Sequence, residues 1–158
     1  MKIYLAADHA GYELKEALMA FLGERGYELE DCGAMAFEPA DDYPDYLLPM
    51  AAKVAQNKGT FGIGIGGSGQ GEAIVCNRIK GARAVVYYGP PSHKATGGQV
   101  SRDEILKLSR EHNDANILSL GARFITQDEA KEAVLLWLTT PFSGEERHVR
   151  RIGKIDHV

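Results

Sequence analysis

Short apolar runs alternate along this chain with stretches in which apolar side chains return every three or four positions. Lys2 to Ala7 is a β-type run that breaks at Asp8-His9-Ala10-Gly11, after which Leu14, Ala17, Leu18, Phe21 and Leu22 fall on one helix face. Gly26 is placed to close that helix, Tyr27 to Cys32 reads as a second strand, and Gly33 to Asp42 as a loop. Asp41-Asp42-Tyr43-Pro44 has the form of a helix start, with aspartate capping and proline in the first turn. The helix it opens turns Leu47, Leu48, Ala51, Val54 and Ala55 inward. A third apolar run ends in glycines before a helix that starts near Gly69, and Ala82 to Tyr87 and Ile117 to Leu120 are further β-type runs. Thr126 with Glu129 forms a capping box, and Ala130, Ala133, Val134, Trp137 and Leu138 make the core face behind it, so Trp137 reads as packing. Strands alternating with helices at this spacing predict an α/β fold. It is Rossmann-like, three-layer α/β/α, with a mostly parallel, doubly wound sheet of about five strands and ligands at their carboxyl ends.

Composition narrows the partners. At 158 residues, 44% hydrophobic and 25% charged, the chain suits one domain over residues 1–158. A net charge of −4 and a pI near 5.7 argue against a nucleic-acid or anionic-membrane surface and favour a small-molecule partner. The first apolar run is too short for a secretory signal and nowhere do apolar residues run to membrane length, so a cytoplasmic protein is expected. Cys32 and Cys76 lie far apart, with no metal-ligand spacing, and read as small core residues.

The candidate chemistry centres on Phe61 to Arg78. Glycines at 62, 64, 66, 67, 69 and 71 do not all suit a strand interior, where each costs about 0.5–1 kcal/mol relative to alanine. They predict a turn whose bare N–H groups, with the start of the following helix, make an anion-binding cup. Glu72 sits one residue past the last glycine, which sets a carboxylate base beside an oxyanion site, the equipment for proton abstraction next to a carbonyl. Gly64 to Gly69 also fits GxGxxG, but Tyr87-Tyr88-Gly89 stands where a dinucleotide site needs an acid, and Glu72 stands where a P-loop needs its lysine. The plainer alternative is that the glycines serve helix–sheet packing and Glu72 favours a helix N-terminus. Asp8, His9 and Arg123 follow predicted strands and should gather with the cup at one sheet edge, whereas His112-Asn113-Asp114 precedes the last strand. Asp8 alone could cap a helix, and His9 and His112 could be ordinary surface or core histidines. From Ser143 onward a basic helix or arm, 143–158, carries Arg147 and Arg151 four apart, two guanidinium forks suited to a phosphate dianion or to solvent.

Six motifs together resemble the B-type ribose-5-phosphate isomerases, the family that includes galactose-6-phosphate isomerase subunits. They are Ala7-Asp8-His9-Ala10-Gly11, Asp42-Tyr43-Pro44, Gly66 to Glu72, Arg110 to Asn116, Gly121-Ala122-Arg123 and Arg147 to Arg151, in the family's order and spanning nearly the whole chain. The resemblance implies an aldose–ketose isomerase that interconverts ribose 5-phosphate and ribulose 5-phosphate through an enediolate. It implies no metal and no cofactor. It also implies a homodimer whose two active sites each draw residues from both subunits, and leaves open whether dimers pair further into a tetramer.

The resemblance further implies roles. Asp8 and His9 contact the substrate, Asn113 binds a sugar oxygen, His112 assists ring opening, the amides of Gly67, Ser68, Gly69, Gln70 and Gly71 hold the enediolate, and Ser68, placed with the catalytic residues, helps hold the sugar. Glu72 is the base, and Arg123, Arg147 and Arg151 take the phosphate. One branch of the family carries a cysteine base where this chain has Gly66, so the chain is similar to the other, glutamate-base branch. The stretch 88–106, with Pro90-Pro91 and Gly97-Gly98, is longer than that pattern and reads as an extended loop. It keeps a hexose 6-phosphate, a free sugar, or a non-catalytic sugar-phosphate-binding role open as alternatives.

Overall fold

The computed structural model describes residues 1–89 and 104–157. Five strands, β1 (Lys2–Ala7), β2 (Glu28–Asp31), β3 (Phe61–Gly66), β4 (Ala84–Tyr87) and β5 (Ile117–Gly121), form one sheet in the order β2-β1-β3-β5-β4. Every neighbouring pair is parallel. The central strands are buried on both faces, which is why β1 and β5 read as continuous apolar runs with no polar alternation.

Among the described residues six helices cover the sheet: α1 (Tyr12–Gly23), α2 (Pro44–Gln56), α3 (Gln70–Cys76), α4 (Glu104–Glu111), α5 (Gln127–Thr139) and α6 (Glu146–Ile155). Leu14, Leu18 and Leu22 of α1, Leu106 of α4 and the Ala130, Val134 and Trp137 face of α5 pack on one side of the sheet. Leu47, Met50, Ala51 and Val54 of α2 and Cys76 of α3 pack on the other. This is the three-layer, doubly wound fold the pattern predicts. Trp137 is fully buried, with its indole N–H donating to Ser109 Oγ at 3.1 Å. The Thr126–Glu129 capping box forms as expected.

Several local expectations are corrected. Leu48 is 38% exposed, because its position on α2 turns away from the sheet face that Leu47 and Ala51 occupy. Tyr43, with no side-chain cap bond, occupies the N-cap of α2, and the Asp41 carboxylate is used elsewhere. Strand β2 stops at Asp31, leaving Cys32 half-buried. The stretch 88–106 ends in α4, whose first residue is Glu104, and its residues 90–103 lie outside the described residues.

The glycines of β3 divide by function. A Cβ on Gly62 would fall 2.5 Å from Met50 Sδ and one on Gly64 would fall 2.7 Å from Leu47 Cδ1, so these two let α2 lie close on the sheet. The plainer packing explanation therefore holds for the first two glycines of the cluster. From β1 the chain moves outward to β2, then returns across the sheet to β3. The loops after β1 and β3 therefore diverge, opening the crevice where doubly wound sheets place ligands.

Candidate active site

A cavity of about 360 Å³ occupies that crevice, lined by Asp8, His9, Ala10, Tyr43, Gly67, Ser68, Gly71, Glu72, Arg123 and Phe124. Three strand ends deliver it. Asp8 and His9 follow β1, the glycine turn follows β3, and Arg123 follows β5. The turn is tied to β5 by backbone bonds from Ala122 N–H to Gly66 O (2.8 Å) and Arg123 N–H to Gly67 O (3.2 Å). The buried Ser119 hydroxyl donates to Gly69 O at 2.7 Å, a support that sequence reasoning missed because a lone serine inside an apolar strand carries no signal.

Within the turn, Gly69 has φ 76° and is the N-cap of α3, a left-handed conformation that glycine adopts without strain. Ser68 Oγ accepts from Gln70 N–H at 3.3 Å. The backbone of Gly69 lies beneath the turn and the Gln70 side chain is exposed, so of the five cup residues Gly67, Ser68 and Gly71 face the cavity. Gly66 serves a different end. A Cβ there would stand 1.7 Å from Glu72 Oε1, so the missing side chain is the room in which the Glu72 carboxylate sits.

Glu72 is 4% exposed. Burial pushes its carboxyl above the usual carboxylate range, its own backbone N–H opposes the rise, and the charge of Asp8 adds to it. A poorly solvated carboxylate beside backbone N–H groups can take a proton from carbon and leave the resulting oxyanion stabilised. Cys76, one turn along α3, is fully buried, and burial pushes its thiol up to about 12, which favours the protonated thiol.

Asp8 does double duty. It lines the cavity while its Oδ1 accepts from the Ala10 and Gly11 N–H groups at 3.0 and 3.3 Å, shaping the turn into α1. His9 is held by Asp41, whose Oδ1 accepts from the His9 backbone N–H at 3.0 Å and from ring Nδ1 at 2.7 Å. Asp8, His9 and Asp41 each offer an atom within 4.8 Å of the others, the one such His, Cys, Asp or Glu group among the described residues. The His9 and Asp41 atoms are, however, already bonded to each other, a hydrogen-bonded pair rather than an open ligand set.

Four expected site residues stand elsewhere in the protomer. His112 and Asn113 follow α4 and precede β5, at the amino ends of the strands, and Arg147 and Arg151 are exposed on α6 beside them. The cavity lining among the described residues includes none of the four. They are organised together. The His112 and His148 rings stack with centroids 4.2 Å apart and 12° between planes. His148 is buried, and burial, then His112 and Arg147, push its pKa down. Its packing role was invisible in a run of basic residues, since only the helix phase shows which one turns inward.

The family profile described as Ribose/Galactose Isomerase matches residues 3–155. The chain belongs to this family. It is 39% identical over 152 residues to the ribose-5-phosphate isomerase B of Mycobacterium tuberculosis, covering 96% of this chain and 86% of that one. It is 38% identical over 154 residues to the Escherichia coli enzyme of the same name, covering 98% and 93%. Among solved structures, ribose-5-phosphate isomerase B from Mycoplasma genitalium, with ribulose 5-phosphate bound, superposes with TM-score 0.86 at 33% identity, covering 99% of this chain and 94% of that one. The Thermotoga maritima enzyme gives 0.86 at 40% identity, covering 99% and 98%. In this family member the crevice gathers Asp8, His9, Gly67, Ser68, Gly71, Glu72 and Arg123, and His112, Asn113, Arg147 and Arg151 lie apart from them in the same chain.

Proposed function

We propose that this chain is an aldose–ketose isomerase that interconverts ribose 5-phosphate and ribulose 5-phosphate, with Glu72 as the base. The observation that carries the reading is the buried Glu72 carboxylate beside the glycine turn, in a crevice shared with Asp8, His9 and Arg123. The substrate follows from the near full-length likeness to ribose-5-phosphate isomerases B, one of them holding ribulose 5-phosphate.

In the open-chain aldose, Glu72 takes the proton from C2 while the electrons of that bond form the C1–C2 double bond and the carbonyl π pair moves onto the C1 oxygen, giving the enediolate. Backbone N–H groups of the Gly67 to Gly71 turn face that oxygen. Proton exchange between the two oxygens and return of the carbon proton from Glu72 to C1 give the ketose, so one carboxylate serves both steps and no net charge is left. Arg123 takes part of the phosphate charge, and Arg147 and Arg151 of the partner subunit take the rest. His112 of the partner subunit opens the furanose ring, and Asn113 of the partner subunit bonds a sugar oxygen. A two-fold dimer brings the separated groups together.

The test is ketose formation across ribose 5-phosphate, hexose 6-phosphates and the free sugars. Ribose 5-phosphate should give the highest kcat/KM, and Glu72→Gln should cut kcat by about 10²- to 10⁴-fold with little change in KM. A Glu72→Gln protein that keeps its turnover removes Glu72 from the mechanism, and preference for another sugar removes the substrate.

A further inference from the structure

We propose that Asp41 is a positioning residue for His9, fixing its imidazole as the Nδ1–H tautomer so that Nε2 is the nitrogen presented to a substrate oxygen. The proposal rests on the function proposed above and deepens it by assigning a role to a residue of the loop between β2 and α2.

Asp41 is far from His9 in sequence and reaches it because the loop is stitched onto the end of β1. Ala7 N–H donates to Gly33 O at 2.8 Å and Ala34 N–H donates to Ala7 O at 2.7 Å, so the chain leaving β2 runs back over the residues that lead into His9. The Asp41 side chain is 4% exposed, against 32% for His9. One oxygen, Oδ1, receives both the backbone N–H and the ring Nδ1 of His9, at 3.0 and 2.7 Å. That double contact fixes the ring's position relative to its own backbone.

The chemistry of the contact decides the tautomer. An ionised carboxylate only accepts hydrogen bonds, so a 2.7 Å contact to Nδ1 requires the proton to be on Nδ1. A neutral His9 is then left with a lone pair on Nε2, the acceptor a sugar hydroxyl needs, and a protonated His9 keeps the same orientation and becomes a donor there. Asp41 Oδ2 is buried with no well-formed hydrogen bond, and the Tyr46 hydroxyl stands against the same carboxylate. Burial, then the Asp41 charge, raises the Tyr46 pKa, which keeps that hydroxyl protonated. The carboxylate is thus enclosed, with His9 as the group it directs into the cavity.

The expected result is read first without activity, from long-range proton–nitrogen NMR of the imidazoles, with His9 assigned by the signal lost in His9→Asn. Above its titration, wild-type His9 should show the proton on Nδ1. Asp41→Asn should retain that pattern, because the amide oxygen can accept the same two N–H groups, and Asp41→Ala should move the proton to Nε2, the form free imidazole side chains favour. On ribose 5-phosphate, Asp41→Ala should lose roughly ten- to a hundredfold in kcat/KM, the effect of one charge-assisted hydrogen bond. Asp41→Asn should recover part of that loss, and adding Asp41→Ala to His9→Ala should cost nothing more. A wild-type ring protonated on Nε2, a tautomer indifferent to Asp41→Ala, or additive losses in the double variant would overturn the proposal. If Asp41→Ala does not fold, the wild-type tautomer still decides. If the protein is inactive on ribose 5-phosphate, the NMR arm still stands while the functional reading falls.

Discussion

Glu72 and Gly66 have to be understood as a pair. The carboxylate occupies the space a side chain at 66 would fill, with Glu72 Cδ only 2.2 Å from the position of a Cβ on Gly66. A cysteine at 66 and a glutamate at 72 in this rotamer therefore exclude each other, because both would fill the same space beside the cup. Holding a carboxylate there has a cost in stability, and its sign follows from the raised pKa. The folded state binds the Glu72 proton more tightly than the unfolded chain does, so stability falls as pH rises from the reference value of 4.5 through the folded value, and the full penalty is present above it. Glu72→Gln, which keeps the shape and removes the charge, should for that reason melt at a higher temperature than the wild type at about pH 7. The difference should shrink as the pH is lowered toward 4.5. Calorimetric melting of the two proteins across that range checks it, and a wild type that is the more stable at neutral pH would show that the carboxylate is well solvated in place.

Among the elements, α1 and β2 are joined by an ion cluster that the apolar pattern conceals. Lys15 lies on the inward side of α1 with a fully buried side chain, and its ammonium is paired with Asp31 at the end of β2 and with Glu16 at 2.9 Å. Asp31 also accepts from Gly33 N–H at 2.8 Å, so this carboxylate starts the loop that carries Asp41. Asp31→Asn leaves a buried cation with only a partly exposed partner. It should destabilise the protein near the lower end of the roughly 3–5 kcal/mol for breaking a buried pair. Lys15→Met removes the charge with the need for its partner and should cost clearly less. Urea unfolding of both variants gives the comparison, and an Asp31→Asn loss no larger than that of Lys15→Met would mean that water reaches the ammonium. The strands, the proline start of α2 and the capping box of α5 were legible in the sequence because each depends on neighbours within one or two turns. So was the gathering of Glu72, the cup, Asp8 and Arg123 at one edge, since all follow strands whose carboxyl ends a parallel sheet puts on the same side. What was not legible depends on distant partners. Asp41 has the local signature of a helix cap, and only the fold reveals an acceptor for a residue 32 positions away. Helix α4 adjoins a stretch rich in proline and glycine that reads as loop, and the less exposed carboxylate of the Lys15 pairing comes from Asp31, 16 positions away on β2, which nothing local to α1 announces.

The whole molecule presents its chemistry at two opposite edges of one sheet. The crevice lies at the carboxyl ends of the strands, whereas His112 and Asn113 lead into the amino end of β5 and α6 packs there, with Arg83 bonded both to Asp114 and to Asp156. Five residues of strand separate the edges by about 17 Å, further than a pentose phosphate reaches. A reaction that needs Glu72 and His112 at one substrate must therefore take them from two copies of the chain. Two-fold pairing satisfies this symmetrically, because each copy then gives its crevice to one site and its basic edge to the other. The arrangement is tested by mixing two variants that are each expected to be impaired on ribose 5-phosphate, Glu72→Gln and the double substitution Arg147→Ala with Arg151→Ala, after dissociating and reassociating the subunits. In a mixed dimer one site inherits both defects and the other inherits neither. Random pairing of equal amounts should therefore restore about a quarter of the wild-type sites, with wild-type KM for ribose 5-phosphate. The double arginine variant by itself should show a KM for sugar phosphates raised by orders of magnitude while its free-sugar binding is unchanged, since each lost contact is worth about 1.5–3 kcal/mol. If the mixture stays as impaired as its components although the subunits exchange, the basic edge does not complete a neighbour's crevice. Arg147 and Arg151 are then a solvated helix face.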